Sequence, residues 1–342
     1  MFRANLVAPE KVVVEQVPAP EPGPGQVRIA VHVCGVCGSD VHAYHGRHPF
    51  ISCPVVPGHE FSGVIDALGA DVEGWQVGQR VTVEPSLVCG ECENCRTGRY
   101  NICDHLRVIG CQSDGAMAEY IVVPADKVVP LPEDMSFEEG ALVEPTAVGV
   151  HAVRRLNLEQ VQRLLVIGAG TIGLQVMQAA LALGVPEVIV TDLYATRLQR
   201  AKALGATYAL NAREVDLPAW MEQRYGRPNP MDAAIECVGA GEVVDTAIGA
   251  VKKGRRIVIA GVWGSRPQVN MAFVQDRELE LVGTLMYTRQ DFLAARDLIT
   301  QGRIQVAPLV TARYPLAQVA RAFAQAAGDP ENTLKVLVLI RE

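Results

Sequence analysis

The chain changes its hydrophobic rhythm near its middle. Up to about residue 140 the apolar positions alternate with polar or small ones: Val27, Ile29, Val31 and Val33 keep a period of two, the signature of a strand with one face buried. Val81 to Val83 and Tyr120 to Val123 read as further short strands, set apart by Gly and Pro. Ser136 followed by Glu139 forms a capping box, opening a helix after the Pro130 to Pro132 stretch. From Leu164 the pattern alternates between two element types. Leu164 to Ile167 is a short apolar strand, Thr171 to Leu183 a helix ending at Gly184, Val188 to Thr191 a strand, and Arg197 to Leu204 a helix ending at Gly205. Ala233 to Glu236, Ile257 to Ala260 and Leu279 to Val282 continue the strands. Strands alternating with helices imply right-handed parallel crossovers and a doubly wound sheet. Helices at 291–300 and near 317–327 and an apolar strand at 334–340 follow. That tail either extends the parallel sheet or returns to complete the first domain.

Composition narrows the function classes. A chain of 342 residues suggests two domains, since single cores stop growing below that size. An apolar content of 49% and a mean hydropathy of +0.16 supply both cores. The net charge of −7, without a run of like charges, excludes a nucleic-acid or anionic-membrane surface, because phosphate binding needs clustered cations. The apolar stretch 164–190 is divided by Gly168, Gly170, Gly173 and Gly184 and interrupted by Gln175 and Gln178, so it reads as a buried strand–helix–strand unit and not a membrane span. The first ten residues lack a signal-peptide pattern. Nine cysteines without a secretion signal fit a reducing, cytoplasmic setting, where clustered thiols hold metal.

Gly168-Ala169-Gly170-Thr171-Ile172-Gly173 follows a strand and opens a helix. The first glycine permits the tight turn, the second lets backbone approach a pyrophosphate, and the third allows close helix–strand packing. The pyrophosphate then meets free amides at a helix N-terminus. Such turns also occur as plain packing solutions, but Asp192 at the end of the next strand strengthens the dinucleotide reading. Its carboxylate suits the ribose hydroxyls and repels a 2′-phosphate, which selects NAD over NADP; Arg197 nearby could receive such a phosphate, but an arginine at that place more often pairs with solvent or stacks on adenine.

Cys89, Cys92, Cys95 and Cys103 have the spacing of a closed tetrahedral thiolate site, which marks a structural zinc. An iron–sulfur cluster or a nucleic-acid-reading ribbon competes for the same pattern, but balanced charges between the cysteines (Glu91, Glu93 and Asp104 against Arg96, Arg99 and Arg107) oppose the ribbon. A second group mixes donor types: Cys37 in Cys37-Gly38-Ser39-Asp40-Val41-His42, His59-Glu60 in Gly58-His59-Glu60-Phe61, and Glu144 in Leu142-Val143-Glu144-Pro145. Thiolate, imidazole and carboxylate are the ligands expected of a catalytic zinc. Taken singly, each has a plainer reading as a buried thiol, a core histidine or a helix carboxylate.

These motifs together resemble the zinc-dependent medium-chain alcohol dehydrogenases, and within them the sorbitol (polyol) branch. The resemblance runs along essentially the whole chain through Cys37 to Asp40, Gly58 to Glu60, the four-cysteine lobe, Asp114-Gly115 to Glu119-Tyr120, Phe137 to Pro145, Gly168 to Gly173 and Thr191-Asp192-Leu193. It implies an α/β protein: a GroES-like, β-rich catalytic domain over 1–148, completed by 287–342, and a Rossmann NAD-binding domain over 149–286. It implies two zinc ions per chain, NAD, and hydride removal from a secondary hydroxyl of a polyol, vicinal diol or sugar acid, giving the ketone. Cys37, His59 and Glu60 become the catalytic ligands, with Glu144 exchanging for Glu60 or bonding the zinc water. A thiolate and a carboxylate against Zn²⁺ leave that site formally neutral, so Glu144 is expected to bind only transiently. Asp40 orients His59, Ser39 accepts the substrate proton and His42 passes it to solvent. Gly168, Gly170, Thr171, Ile172, Gly173, Asp192 and Arg197 hold the cofactor. A homo-tetramer or homo-dimer follows by the same resemblance, with 257–262 and 279–285 as pairing edges.

The chain departs from the polyol pattern at two places. Ala43 stands where a tyrosine is typical, with Tyr44 next, and Met286 where an arginine is typical, before Tyr287. Arg289 is then a candidate partner for a substrate carboxylate, or a solvated helix-cap residue. Threonine 3-dehydrogenase and butanediol dehydrogenase are the rival enzymes. A metal-free quinone reductase would need neither ligand set, and a zinc-stabilised binding module without catalysis would need a basic face.

Overall fold

The computed structural model describes residues 1–264 and 266–341, and they form two compact units. The first comprises Met1–Glu144, Thr288–Thr300 and the segment from Val306 onward; the second comprises Pro145–Tyr287 and Gln301–Gln305. The chain leaves the first unit at Glu144, before the expected 148, for a packing reason. The Val143–Arg154 helix lies so close to the Thr171–Ala182 helix that a Cβ on Gly149 would meet the Gln175 backbone at 2.9 Å. Residues 301–305 join the second unit because Gln178 exchanges two hydrogen bonds with the Gln305 backbone, at 2.8 and 3.1 Å.

The first unit is built on a seven-stranded sheet. Its order is Val310–Pro315, Lys335–Leu339, Gln26–Val36, Glu60–Leu68, Arg80–Val83 and Val128–Pro130, with Tyr120–Pro124 also paired to Gln26–Val36. The alternation read at Val27 to Val33 lies in that central strand and turns Val27, Ile29 and Val31 into a core with Phe61, Ile65, Val81 and Phe323. Lys335–Leu339 pairs antiparallel with Gln26–Val36, Val336 facing Val36. The tail therefore returns to the first unit. The capping box at Ser136 is present, Ser136 Oγ accepting from the Glu139 amide at 3.2 Å and Glu139 Oε2 from the Ser136 amide at 2.8 Å.

The second unit is a six-stranded, wholly parallel sheet in the order Tyr208–Asn211, Glu187–Asp192, Arg163–Ile167, Met231–Glu236, Val251–Ile259, Glu280–Gly283. Strands covered on both faces must be apolar throughout, which is why Leu164 to Ile167 carries no alternation. Arg163–Ile167 runs next to Glu187–Asp192 on one side and Met231–Glu236 on the other, so the winding reverses there and a crevice opens beyond their carboxyl ends. Val251–Ile259 is hydrogen-bonded on both sides. Of the two pairing edges expected from sequence, only Glu280–Gly283 is an edge strand.

The strand Tyr208–Asn211 and the helices Leu217–Tyr225 and Gly241–Ala250 were not legible from periodicity. The first helix is set by its ends more than by its face: Asp216 accepts from the Ala219 amide at 3.1 Å, a proline occupies the first turn, and Gly226 ends it in the left-handed conformation.

Candidate active site

Cys37 and the adjacent pair His59 and Glu60 come from two points of the first unit and converge, one ligand atom of each lying within 4.8 Å of the others. Cys37 follows the Gln26–Val36 strand and is the N-cap of the Gly38–Tyr44 helix, where its amide donates to Asp40 Oδ2 at 2.9 Å. Glu60 opens the neighbouring strand and His59 immediately precedes it; His59 is 6% exposed and Glu60 fully buried. Glu60 fits because its register partner is Gly35, where a Cβ would stand 2.1 Å from Glu60 Oε2.

Asp40 Oδ1 faces His59 Nδ1 at 4.0 Å, and both buried atoms lack a hydrogen-bond partner. Burial alone would depress the pKa of His59; the anions of Cys37 and Asp40 and the neighbouring thiols outweigh it and hold the pKa well above the ordinary imidazole value. Burial pushes the Asp40 carboxyl up. A buried imidazole among thiol and carboxylate groups calls for a cation, and the donor types fit zinc.

Sequence reasoning missed Lys335. Its Nζ donates to both oxygens of Glu60 at 2.6 and 2.5 Å and to Val36 O at 3.1 Å, and its residue is 2% exposed. The available signal was a lysine in an otherwise apolar strand, since buried strands carry a charge only where a partner waits. Lys335 changes the charge count, since it already answers Glu60. Glu144 is 4% exposed and lies outside the three-residue cluster, though close enough for its charge to help hold Lys335 protonated. Ser39 and His42 share the Gly38–Tyr44 helix three residues apart, both half-buried, which puts them on one side of it.

Tyr44 does not replace the tyrosine absent at 43: its ring packs on Phe323 at 5.5 Å, while Ala43 is buried in the core. Arg289 is neither a substrate contact nor a solvated cap. Its guanidinium donates to the carbonyls of Asp126, Lys127 and Val128 at 3.2, 3.2 and 2.6 Å and lies 3.6 Å from Glu84. Its amide donates to the Tyr100 hydroxyl.

The four cysteines at 89, 92, 95 and 103 also gather within 4.8 Å. Amides of Cys89, Cys92, Cys95 and His105 donate to their sulfurs at 3.3 to 3.5 Å, as thiolates packed round an ion require. Backbone amides, that of Asp104 foremost, lower Cys92 to about 6, whereas desolvation and the neighbouring sulfurs push Cys95 up to about 12.

In the second unit the glycine turn has its expected form. Gly168 is left-handed at φ +98, Gly170 caps the Thr171–Ala182 helix, and a Cβ on Gly173 would sit 1.8 Å from Gly168 O. Thr171 and Ile172, half-exposed, open that helix. Asp192 is anchored before any ligand arrives, Oδ2 accepting from the Ala169 amide at 2.7 Å and Oδ1 from the Tyr194 amide at 2.9 Å. Arg197 lies 3.8 Å from that carboxylate and over the Tyr194 ring at 5.1 Å, so part of its charge is already answered. An open backbone cradle ending in a fixed carboxylate fits a dinucleotide.

The class of protein is clear from comparison. Residues 23–133 match the alcohol dehydrogenase GroES-like domain and residues 171–301 the zinc-binding dehydrogenase family. The chain belongs to the zinc-dependent medium-chain alcohol dehydrogenases, in their sorbitol dehydrogenase branch. It is 35% identical to sorbitol dehydrogenase of Bacillus subtilis, covering 96% of this chain and 94% of that one. It is 34% identical to 2-dehydro-3-deoxy-L-galactonate 5-dehydrogenase of Pseudoalteromonas atlantica, covering 99% and 98%. Among solved structures it is similar to the rspB short chain alcohol dehydrogenase of Escherichia coli CFT073 in complex with NADH, with a TM-score of 0.93, 30% identity and 99% of each chain covered. No helix among the described residues is long and apolar enough to cross a membrane.

Proposed function

We propose that this chain oxidises a secondary hydroxyl of a polyol or sugar acid to the ketone, with NAD as acceptor. The convergence of Cys37, His59 and Glu60 in one buried cluster carries the reading, and relatives named for sorbitol and for a deoxygalactonate support the substrate class. Zinc bound there supplies Lewis acidity that brings a substrate hydroxyl toward neutral pKa. NAD, held at the Gly168 to Gly173 turn and Asp192, would supply the hydride acceptor. The protein's own groups do the rest. Asp40 holds the imidazole face of the metal site, and Lys335 keeps the Glu60 carboxylate turned. Ser39 receives the hydroxyl proton and His42, on the same helix side, moves it toward water. Asp192 holds the adenosine ribose and disfavours a 2′-phosphate.

Cys89, Cys92, Cys95 and Cys103 hold a second, closed zinc. Glu280–Gly283, an edge strand, is where a second copy would add in a homo-dimer or homo-tetramer. Nine free cysteines accord with a reducing, cytoplasmic setting. A panel of polyols, sugar acids, threonine, butanediol and primary alcohols, assayed with NAD and NADP in parallel, tests the reading. Turnover of primary alcohols alone, or none after Glu60→Ala and in wild type alike, would sink it.

A further inference from the structure

Two strands of the parallel sheet end in a carboxylate, one on each side of the glycine turn. Asp192 closes Glu187–Asp192 and Glu236 closes Met231–Glu236. Each holds the turn that follows it. Asp192 Oδ1 accepts from the Tyr194 amide, two residues on, and Glu236 Oε1 accepts from the Val238 and Gly239 amides at 2.5 and 2.7 Å. They differ in exposure: Asp192 keeps 9% of its surface open and Glu236 none. A ligand in the crevice can touch the first and not the second.

Glu236 instead fastens two turns together. Its carbonyl accepts from the Ala260 and Gly261 amides at 2.8 and 3.1 Å, so the turn after Val251–Ile259 hangs from the residue that also holds 237–239. The two turns are pressed close. A Cβ on Gly239, left-handed at φ +80, would stand 2.3 Å from Val262 O, and one on Gly261 would stand 2.2 Å from Gly239 N. The same segment walls the glycine turn: the Cys237 amide donates to Ile167 O at 2.9 Å, and a Cβ on Gly168 would meet Val238 Cγ2 at 2.7 Å.

For stability alone a carboxylate is a poor choice at this position. Glu236 Oε2 is buried and accepts no hydrogen bond, and burial outweighs the amides and pushes the carboxyl pKa up. A buried polar atom without a partner destabilises the fold. The carboxylate supplies two short, charge-assisted bonds that fix a turn at the ligand end of the sheet. At the tips of the two turns Val238 and Val262 stand 49% and 55% exposed, apolar surface that a ligand would cover.

We infer that Glu236 is a positioning residue for the dinucleotide, fixing the 237–239 and 260–262 turns under the half of the cofactor that lies away from Asp192. The inference rests on the dinucleotide reading of the site. In a doubly wound sheet the two halves of such a cofactor lie on either side of the switch point, which falls here at Arg163–Ile167. Asp192 takes the half on one side. The turns held by Glu236 stand on the other.

The test compares two ligands on the zinc-loaded full chain by isothermal titration: 5′-AMP, which carries the adenosine half alone, and NADH, which carries both halves. Glu236→Ala should weaken NADH about tenfold or more, since a loosened turn must be ordered on binding, and leave 5′-AMP within about twofold. Glu236→Gln keeps an oxygen for the two amides and should recover most of the NADH affinity. Equal loss for both ligands, loss for neither, or a glutamine variant as weak as the alanine one overturns the inference. Wild-type protein gives a reading that needs no variant: saturating NADH should slow hydrogen exchange of the 237–240 amides at least about threefold more than saturating 5′-AMP. Equal protection by the two ligands overturns the inference and leaves the dinucleotide reading standing. Wild-type protein that binds neither ligand overturns both.

Discussion

Replacing Lys335 with methionine strands a buried charge, and the size of the effect follows from the contacts. Glu60 and Lys335 have side chains 1% and 3% exposed and two contacts of 2.6 and 2.5 Å, so water screens little of the attraction. At an effective dielectric of about 20 and a charge separation of about 4 Å, the pair is attracted by roughly 4 kcal/mol. Breaking a buried pair by deleting one member costs about 3–5 kcal/mol, because the survivor keeps its desolvation without its partner. Lys335→Met should therefore destabilise the first unit by about that much. Adding Glu60→Gln should restore most of it, since the stranded charge is gone. Equilibrium urea unfolding of zinc-loaded protein reads both. Trp75 packs on the first unit's core, whereas Trp220 and Trp263 pack on the other, so a background with phenylalanine at 220 and 263 isolates the relevant transition. With a slope of about 3 kcal/mol/M, the midpoint should fall by about 1 M or more. A loss below about 1 kcal/mol, or a double variant as unstable as the sum of the singles, refutes the reasoning.

Other outcomes follow from single contacts. Asp192→Ala removes the acceptor for the Ala169 and Tyr194 amides and the ribose contact; at about 1.5–3 kcal/mol for a charged hydrogen bond, KM for NAD should rise about tenfold to a hundredfold, with NADP hardly changed. Gly173→Ala puts a methyl 1.8 Å from Gly168 O and should abolish NADH binding measured by fluorescence titration. Asp232, at the start of its strand, accepts from the Gln162 and Arg163 amides and pairs with Lys252; burial raises its pKa, but these partners outweigh burial and hold it below the usual carboxylate value. Its stabilisation is therefore complete above the unfolded-state pKa and lost as pH falls through the lower folded one. Melting curves from neutral to acid pH should show that loss in wild type and not in Asp232→Asn. Metal analysis should find about two zinc per chain, and about one in Cys37→Ala, the four-cysteine lobe keeping its own.

What could be read from the residues alone was whatever a short window encodes. The capping box at Ser136, the glycine turn at 168–173 and the four cysteines all depend on spacings of a few positions, and the structure shows each in the expected form. Lys335 and Glu60 meet across 275 positions, and no local pattern joins them; only the incongruity of a lysine among Leu334, Val336 and Val338 hinted at a partner. Arg289 was misread because a helix-start arginine usually faces water, whereas here three carbonyls at the end of a neighbouring segment claim it.

The placement of Lys335–Leu339 beside Gln26–Val36 also sets an order for biosynthesis. Translation delivers the parallel sheet as one nearly uninterrupted stretch, whereas the other sheet waits for a strand made hundreds of codons after its neighbour. Until that strand is threaded in, the Val33 to Val36 end of the Gln26–Val36 edge is bare and the acidic group at position 60 lacks its lysine. A nascent chain of this protein therefore reaches a stage in which the parallel sheet has all its strands while the other sheet still holds an open seam.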